Sequence, residues 1–329
     1  MDRNLALEFV RVTEAAAIAA AKWVGKGDGK KADGAAVDQM RARFNQIDFR
    51  GVVVIGEGQK DEAPELYQGE KLGTGWKITS PNPSFKRRGM THAYPIMDLA
   101  IDPLECTDSV AYGRYNALAV IAAGSHNSLL NAPDTYMEKL AAGPKAAKVI
   151  KFGAPVKFNI DRVAKALNKK PGDVTVCVMD RQRHEDLIAQ IRKTGARVRL
   201  ITDGDVAGGI APCMPDSEID LLMGIGASAE AVLAATAIKI LGGQIFARFN
   251  PMKDLHHQLL KKAGLNDKKV YSVNDLAKGN QLTFTATGVI DGPLLQGVRF
   301  TGDTIITHSL VIRGLSGTLR YITTHHKKK

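Results

Sequence analysis

The chain has 329 residues, 44% of them apolar, and a formal net charge of +11. That length suits one large or two ordinary domains with ample core. The three cysteines, Cys106, Cys177 and Cys213, are an odd number without CxxC spacing, so neither a disulfide framework nor a zinc site is indicated and a reducing cytoplasmic setting is expected. No uninterrupted apolar run approaches the roughly 20 residues of a membrane span, so no membrane partner is expected. The positive charge fits an anionic partner, either a phosphorylated metabolite or nucleic acid. Aromatic residues make up 6% of the chain and are not interleaved with the basic clusters Lys86-Arg87-Arg88 and His325-His326-Lys327-Lys328-Lys329. Those clusters read as solvated surface, and nucleic acid is not an expected partner.

Leu5, Phe9, Val12, Ala16 and Ala20 recur at helical spacing, and a second helix is expected over 35–45. Gly51-Val52-Val53-Val54-Ile55 is a short β-branched run suited to a buried strand, ending at Gly56-Glu57-Gly58. Residues 72–95, rich in glycine and proline, read as a loop, and strands are expected over 96–102, 116–123 and 147–152. A boundary is expected near 153–172, dividing residues 1–160 from 161–329. Beyond it come a strand over 174–179, a helix over 184–194, strands over 198–202 and 219–223, and a helix over 229–241. This is α/β grammar with a largely parallel sheet. Strand-rich patterning returns from 283 to 324.

The acids stand out against this pattern. In Met97-Asp98-Leu99-Ala100-Ile101-Asp102-Pro103 the two aspartates share a strand face, with Pro103 expected to end the ladder. Glu105 follows on the turn, then Thr107 with a hydroxyl. Clustered carboxylate oxygens are what Mg²⁺ or Mn²⁺ bind, and a hydroxyl beside them suits orientation of an attacking water. Read alone, the segment is equally well a surface turn with capping acids. Glu57, at the end of a buried strand, needs a cation or hydrogen bonds to offset burial. Asp33 reads as a helix N-cap or a ligand, and Glu230, in a first helical turn, as a capping acid or a ligand.

These residues, taken with Arg11-Val12-Thr13-Glu14-Ala15-Ala16, Ala32-Asp33-Gly34-Ala35-Ala36-Val37, Val54-Ile55-Gly56-Glu57-Gly58, Asp61-Glu62-Ala63-Pro64, Asp102-Pro103-Leu104-Glu105, Asn131-Ala132-Pro133-Asp134, Tyr136-Met137, Asp203-Gly204-Asp205-Val206 and Met223-Gly224-Ile225-Gly226, make the chain resemble the class II fructose-1,6-bisphosphatase family. The likeness covers nearly the whole chain and extends to members that also act on sedoheptulose 1,7-bisphosphate. It implies a layered α/β/α/β/α sugar-phosphatase fold, with an N-terminal metal-site domain over 1–160 and a C-terminal sugar-phosphate domain over 161–329.

The resemblance further implies hydrolysis of the 1-phosphate of fructose 1,6-bisphosphate in gluconeogenesis or Calvin-type carbon metabolism, with Mg²⁺ or Mn²⁺ as cofactor and a homodimer or homotetramer as the assembly. By position it makes Asp33, Glu57, Asp102, Glu105 and Glu230 metal ligands, and Thr107 and Glu57 the catalytic residues. It places Glu105, Cys106, Thr107, Tyr136, Arg181, Gln182, Arg183, Asp203, Gly204, Asp205 and Ala227 against the substrate. Arginines grip phosphate bidentately and aspartates accept from sugar hydroxyls, which agrees with these roles.

Four departures qualify the likeness. Cys106 stands where the family has glycine, so a strained φ and crowding of the phosphate are expected there. Gly226-Ala227-Ser228-Ala229-Glu230-Ala231 lacks the usual proline before the glutamate and glycine after it. Gln182 replaces a usual proline, and the segment after Phe249 is shorter. An alternative is therefore a catalytically impaired relative that binds sugar phosphate as a sensor or partner subunit. A thiol made acidic by nearby metal and cations would make Cys106 sensitive to oxidation. A nucleotide-binding oxidoreductase, suggested by Gly224-x-Gly226-x-x-Ala229, lacks the acid expected about 20 residues later.

Overall fold

The structure, a computed structural model, describes residues 5–56, 66–76 and 94–328. Glu57, the Asp61-Glu62-Ala63-Pro64 block and Lys86-Arg87-Arg88 lie outside the described residues. In chain order the first half holds α1 (Leu5–Ala21), α2 (Gly29–Phe44), β1 (Arg50–Ile55), β2 (Lys71–Leu72), β3 (Ile96–Glu105), α3 (Thr107–Tyr112), β4 (Ala117–Ser125), β5 (Tyr136–Ala142) and α4 (Val156–Leu167). Then come β6 (Thr175–Met179), α5 (Glu185–Lys193), β7 (Arg197–Ile201), α6 (Val206–Ile210), β8 (Leu221–Ala227), α7 (Ser228–Ile240), β9 (Gln244–Phe249) and α8 (Asp254–Lys262). The chain closes with β10 (Tyr271–Ser272), α9 (Val273–Leu276), β11 (Thr283–Ile290), β12 (Arg299–Phe300), β13 (Thr304–Arg313) and β14 (Thr318–Lys327).

Two sheets form. The first runs β12-β13-β11-β4-β3-β1-β2 with β14 on β13, and the second runs β10-β9-β5-β8-β6-β7. Sheet membership does not follow chain order, because the strands after residue 283 return to the first sheet. Strand alternation then builds the layers. In β4, Ala117, Ala119, Ile121 and Ala123 face the core under α1 and α2, while Leu118, Val120 and Ala122 face a central core. In β6, Cys177 and Met179 face that same central core, while Val176 and Val178 face an outer core under α4 and α5. Helices α6, α7 and α9 fill the middle, giving the expected α/β/α/β/α order. Helix α7 suits its place between two sheets because small and apolar residues surround it, from Ala231 to Ile238.

Two expectations are corrected. The sheets are mixed rather than largely parallel: β6 pairs in parallel with β7 and β8, and β1 with β3, whereas β5, β9 and β11 pair antiparallel with their neighbours. Residues 147–152 are turn and loop, with Val149, Ile150 and Phe152 packed in the outer core, and the strand lies earlier at β5. Charges at Glu138 and Lys139 interrupt the apolar pattern that would have marked it. Among the described residues no helix is long and apolar enough to cross a membrane.

Candidate active site

The site grows from an irregularity in β3. Its pairing with β4 runs Asp102 to Val120 and then Glu105 to Leu118, so one extra residue is accommodated around Pro103, which has no N–H for the ladder. The strand thus continues through the proline expected to end it. The bulge changes side-chain parity: Leu104 joins the core beneath α1 and α2, and Glu105 turns toward the middle layer. There Glu105 Oε1 accepts from the Val206 N–H (3.1 Å). Asp102, still on strand geometry, accepts from the Leu104 N–H (3.0 Å).

Cys106 follows in the left-handed region, with φ 74°. That meets the strain expected where relatives carry glycine, and it costs about 1–2 kcal/mol. Its thiol is enclosed: Sγ lies 3.0 Å from Glu105 Oε2 and 3.3 Å from the Asp203 carbonyl, and Asn116 Nδ2 donates to it at 3.2 Å. Burial first, then the Glu105 charge, push the thiol well above its ordinary range. This overturns the physical basis expected for an oxidation-prone thiolate. Thr107 opens α3, and its Oγ1 donates to the Leu104 carbonyl (3.1 Å). Its lone pairs are left to accept a proton from another group.

Asp33 is not an N-cap. Helix α2 starts six residues before the expected helix, with Asp28 capping it through the Lys31 N–H (3.0 Å), and Asp33 sits inside the helix. The first residue of α2, Gly29, faces Thr107 Cγ2, which brings this helix to the Thr107 turn.

Opposite Glu105 stand the loop before α6 and the start of α7. Glu230 combines both readings the sequence left open. Its Oε2 caps its own helix by accepting from the Ala227 N–H (2.8 Å), and it also meets the Lys139 ammonium at 3.0 Å. The same ammonium donates to Asp205 Oδ1 at 2.5 Å. Gly226 closes over all three, and a Cβ there would overlap Asp205 Oδ2, Glu230 Oε2 and Lys139 Nζ. A Cβ on Gly204, φ 50°, would likewise overlap Glu105 Oε1 and Cys106 Sγ.

Three carboxylates therefore share one buried ammonium. Burial and the Glu230 charge raise Glu105 to about 8. Burial and the same neighbour raise Asp205 to about 7. Burial acts on Glu230 in that direction too, but Lys139 and the Ala227 N–H outweigh it and hold Glu230 below its ordinary range. Lys139, against the pull of burial, is raised by Asp205 and Glu230 and stays charged. A site with this excess of buried carboxylate fits an added cation, and an all-oxygen donor set fits a hard divalent one. Among the described residues no three acids or histidines are grouped closely enough to hold an ion as they stand, and Glu57 is outside that set.

The arginines gather beside this cluster. Arg181 Nη2 pairs with Asp203 at 3.3 Å, and Gln182 begins the short helical turn Gln182–His184. Arg183 gives two N–H groups to the Ile225 carbonyl (3.2 and 2.9 Å), and its guanidinium lies 5.4 Å from the Tyr136 ring centroid. His184 holds the other side of the same peptide: its Nδ1 meets the Met179 carbonyl and its Nε2 meets the Ile225 N–H, both at 2.8 Å. Ala227 is the N-cap residue of α7. Where an oxidoreductase would put a dinucleotide, at the β8 to α7 turn, Asp205 and Glu230 present carboxylates, which disfavour a phosphate.

Sequence reasoning missed Lys139, Asn116 and His184. Lys139 carried a usable signal, a charge at the same strand parity as Met137 and Ala141. Asn116, at φ 70° and buried, carried none beyond its residue type.

Fold and site together define a five-layered α/β protein whose polar centre is a carboxylate cluster bordered by two arginines. A family model described as bacterial fructose-1,6-bisphosphatase, glpX-encoded, matches residues 3–326. The chain belongs to the class 2 fructose-1,6-bisphosphatase family, as its sequence motifs led one to expect. It is 43% identical to the D-fructose 1,6-bisphosphatase class 2/sedoheptulose 1,7-bisphosphatase of Synechococcus sp. (strain JA-3-3Ab), over 100% of this chain and 97% of that protein. It is also 43% identical to fructose-1,6-bisphosphatase 1 class 2 of Escherichia coli (strain K12), over 99% and 96% of the two chains.

Proposed function

We propose that this chain hydrolyses the 1-phosphate of fructose 1,6-bisphosphate to fructose 6-phosphate and phosphate, with sedoheptulose 1,7-bisphosphate as a second candidate substrate. Family membership supports the reaction class. The observation within the fold that carries it is the excess of buried carboxylate at Glu105, Asp205 and Glu230, set beside the Arg181–Arg183 turn. Asp33, Glu57, Asp102, Glu105 and Glu230 would hold Mg²⁺ or Mn²⁺. Such an ion, when bound, supplies charge neutralisation at the phosphate and a lowered pKa for water.

The chain's own residues do the rest. Thr107, its hydrogen committed to the Leu104 carbonyl, would accept from the attacking water and aim its lone pair at phosphorus. The P–O bond to C1 breaks, and the leaving alkoxide takes up a proton. Arg181 and Arg183 each retain free N–H donors for the distal phosphate. Asp203, Asp205, Tyr136 and the backbone of Gly204 and Ala227 would fix the sugar. A cytoplasmic place in sugar-phosphate metabolism and a homodimeric or homotetrameric assembly belong to the same proposal.

Phosphate release should be measured with each sugar and each ion, against Thr107→Ala. Ion-dependent release that falls by about 10²-fold or more in the variant is expected; no ion-dependent release by the wild type would sink the proposal. A second reading, an impaired relative that binds sugar phosphate, is favoured by Cys106, whose thiol occupies Glu105 Oε2 and fills the space against Gly204. Saturable sugar-bisphosphate binding without turnover would support that reading, and ordinary turnover would end it.

A further inference from the structure

Of the two charged residues on β5, Glu138 pairs with Arg248 (2.7 Å) on the exposed side, while Lys139 turns into the middle layer and is 2% exposed. An ammonium buried this way is costly unless its partners repay it. Its partners come from separate elements: Asp205 from the turn entering α6, and Glu230 from the first turn of α7. Gly226 supplies the room for the three groups to meet.

We infer that Lys139 is a positioning residue of the hydrolytic site, tying the carboxylate that meets the sugar, Asp205, to the carboxylate that holds the divalent ion, Glu230, and setting how strongly that ion is held. The inference rests on the function proposed above. Lys139 touches neither reacting atoms nor sugar in this scheme and acts through the two acids. Its charge offsets one of three facing carboxylates, and its two hydrogen bonds fix their relative orientation. Removing it deepens the local negative charge and frees Glu230, which favours a divalent cation. The same change releases Asp205, which weakens the sugar. A lesion of the fold would weaken both ligands together, whereas loss of this clamp moves the two affinities in opposite directions.

The test uses the full chain and two readouts: Mn²⁺ binding without substrate, from the electron paramagnetic resonance signal of free Mn²⁺, and KM with kcat for fructose 1,6-bisphosphate at saturating Mn²⁺. In Lys139→Met the Mn²⁺ Kd should fall about tenfold and KM rise about tenfold, the scale of one charge-assisted hydrogen bond, with a smaller change in kcat. Lys139→Arg keeps the charge but not the fit, so its Mn²⁺ Kd should stay within about threefold of wild type while KM rises about threefold or more. Unchanged Kd and KM in a folded Lys139→Met, or weakening of both, overturns the inference. If that variant does not fold, Lys139→Arg carries the test, and an unchanged KM there overturns it. Wild-type protein that neither binds Mn²⁺ nor releases phosphate would instead end the underlying functional reading.

Discussion

Two buried polar clusters lie on opposite faces of the first sheet, and they meet the cost of burial in different ways. Beneath α1, Thr13 Oγ1 lies 2.7 Å from Thr287 Oγ1, which lies 2.8 Å from Ser309 Oγ. Beside them Thr307 Oγ1 donates to Glu14 Oε1 (3.2 Å) and lies 3.0 Å from His326 Nε2. Thr307 has one hydrogen, given to the carboxylate, so His326 must donate to it. Hydroxyls that both give and accept let this cluster close on itself, with Glu14 as its carboxylate. On the other face Glu105, Asp205 and Glu230 accept without donating when ionised, and one ammonium serves three of them. The first cluster is built to be finished by folding, and the second is left wanting positive charge.

The largest effect that tests this contrast is Glu105→Gln. Activity should fall by about 10²–10³-fold, the scale of losing one group aimed at the reacting centre. Stability should move the other way. In the folded chain Glu105 holds its proton up to about 8, while the unfolded carboxyl ionises near 4.5. Between these values the folded state binds more protons, so stability without metal is greatest at low pH and is lost as pH rises through about 8. Glutamine has no such loss. Thermal unfolding of metal-free protein at about pH 5, 7 and 9 should show the variant's advantage growing, to on the order of 3 kcal/mol at the highest pH. An advantage independent of pH would break the contrast.

Thr287→Val probes the other cluster. It removes the hydroxyl shared by Thr13 and Ser309 and should cost about 1–2 kcal/mol in denaturant unfolding, with kcat unchanged. A loss of kcat at matched folded fraction would erase the distinction between the two faces. Smaller still is the difference between Cys106→Ala and Cys106→Gly. Both lose the thiol contacts, but only glycine relieves the φ of 74°, so glycine should be the more stable by about 1 kcal/mol. Equal stabilities would mean that the turn stores no strain.

How much of this was legible in the sequence follows from range and parity. Strands with regular alternation, such as the one carrying Asp98 and Asp102, announced both their existence and their faces, and the glycine-to-cysteine change at 106 announced a left-handed backbone. The orientation of Glu105 was hidden, because the bulge around Pro103 changes parity within one residue. The role of Lys139 was hidden by distance, its partners standing 66 and 91 positions away. Its charge also disguised β5, so the same residue concealed both a strand and a part of the site. Residues 147–152, apolar enough to suggest a strand, bury their side chains as a loop because the sheet position is already taken by β5.

The smallest expected effect concerns the Ile225 peptide, which borders the charged cluster and is held on both sides by uncharged logic. The Met179 carbonyl can only accept, so His184 Nδ1 carries the proton, and Nε2 is bare to accept from the Ile225 N–H. A protonated ring cannot make the second bond. Burial, with Arg183 and Arg181 nearby, lowers the His184 pKa below its ordinary 6.5. As pH falls below 6.5 the unfolded chain takes the proton first, so the stability this bridge contributes is present above that value and is lost on acidification. Urea unfolding at about pH 7.5 and 5.5 should show wild type losing about 1 kcal/mol more than His184→Gln over that interval. Because Arg183 grips the carbonyl of the same residue, KM for the sugar bisphosphate should rise in parallel in wild type and stay flat in the variant. If the two proteins respond identically, the bridge is structural filler, and the ordering of Arg183 must come from its stacking on Tyr136 instead.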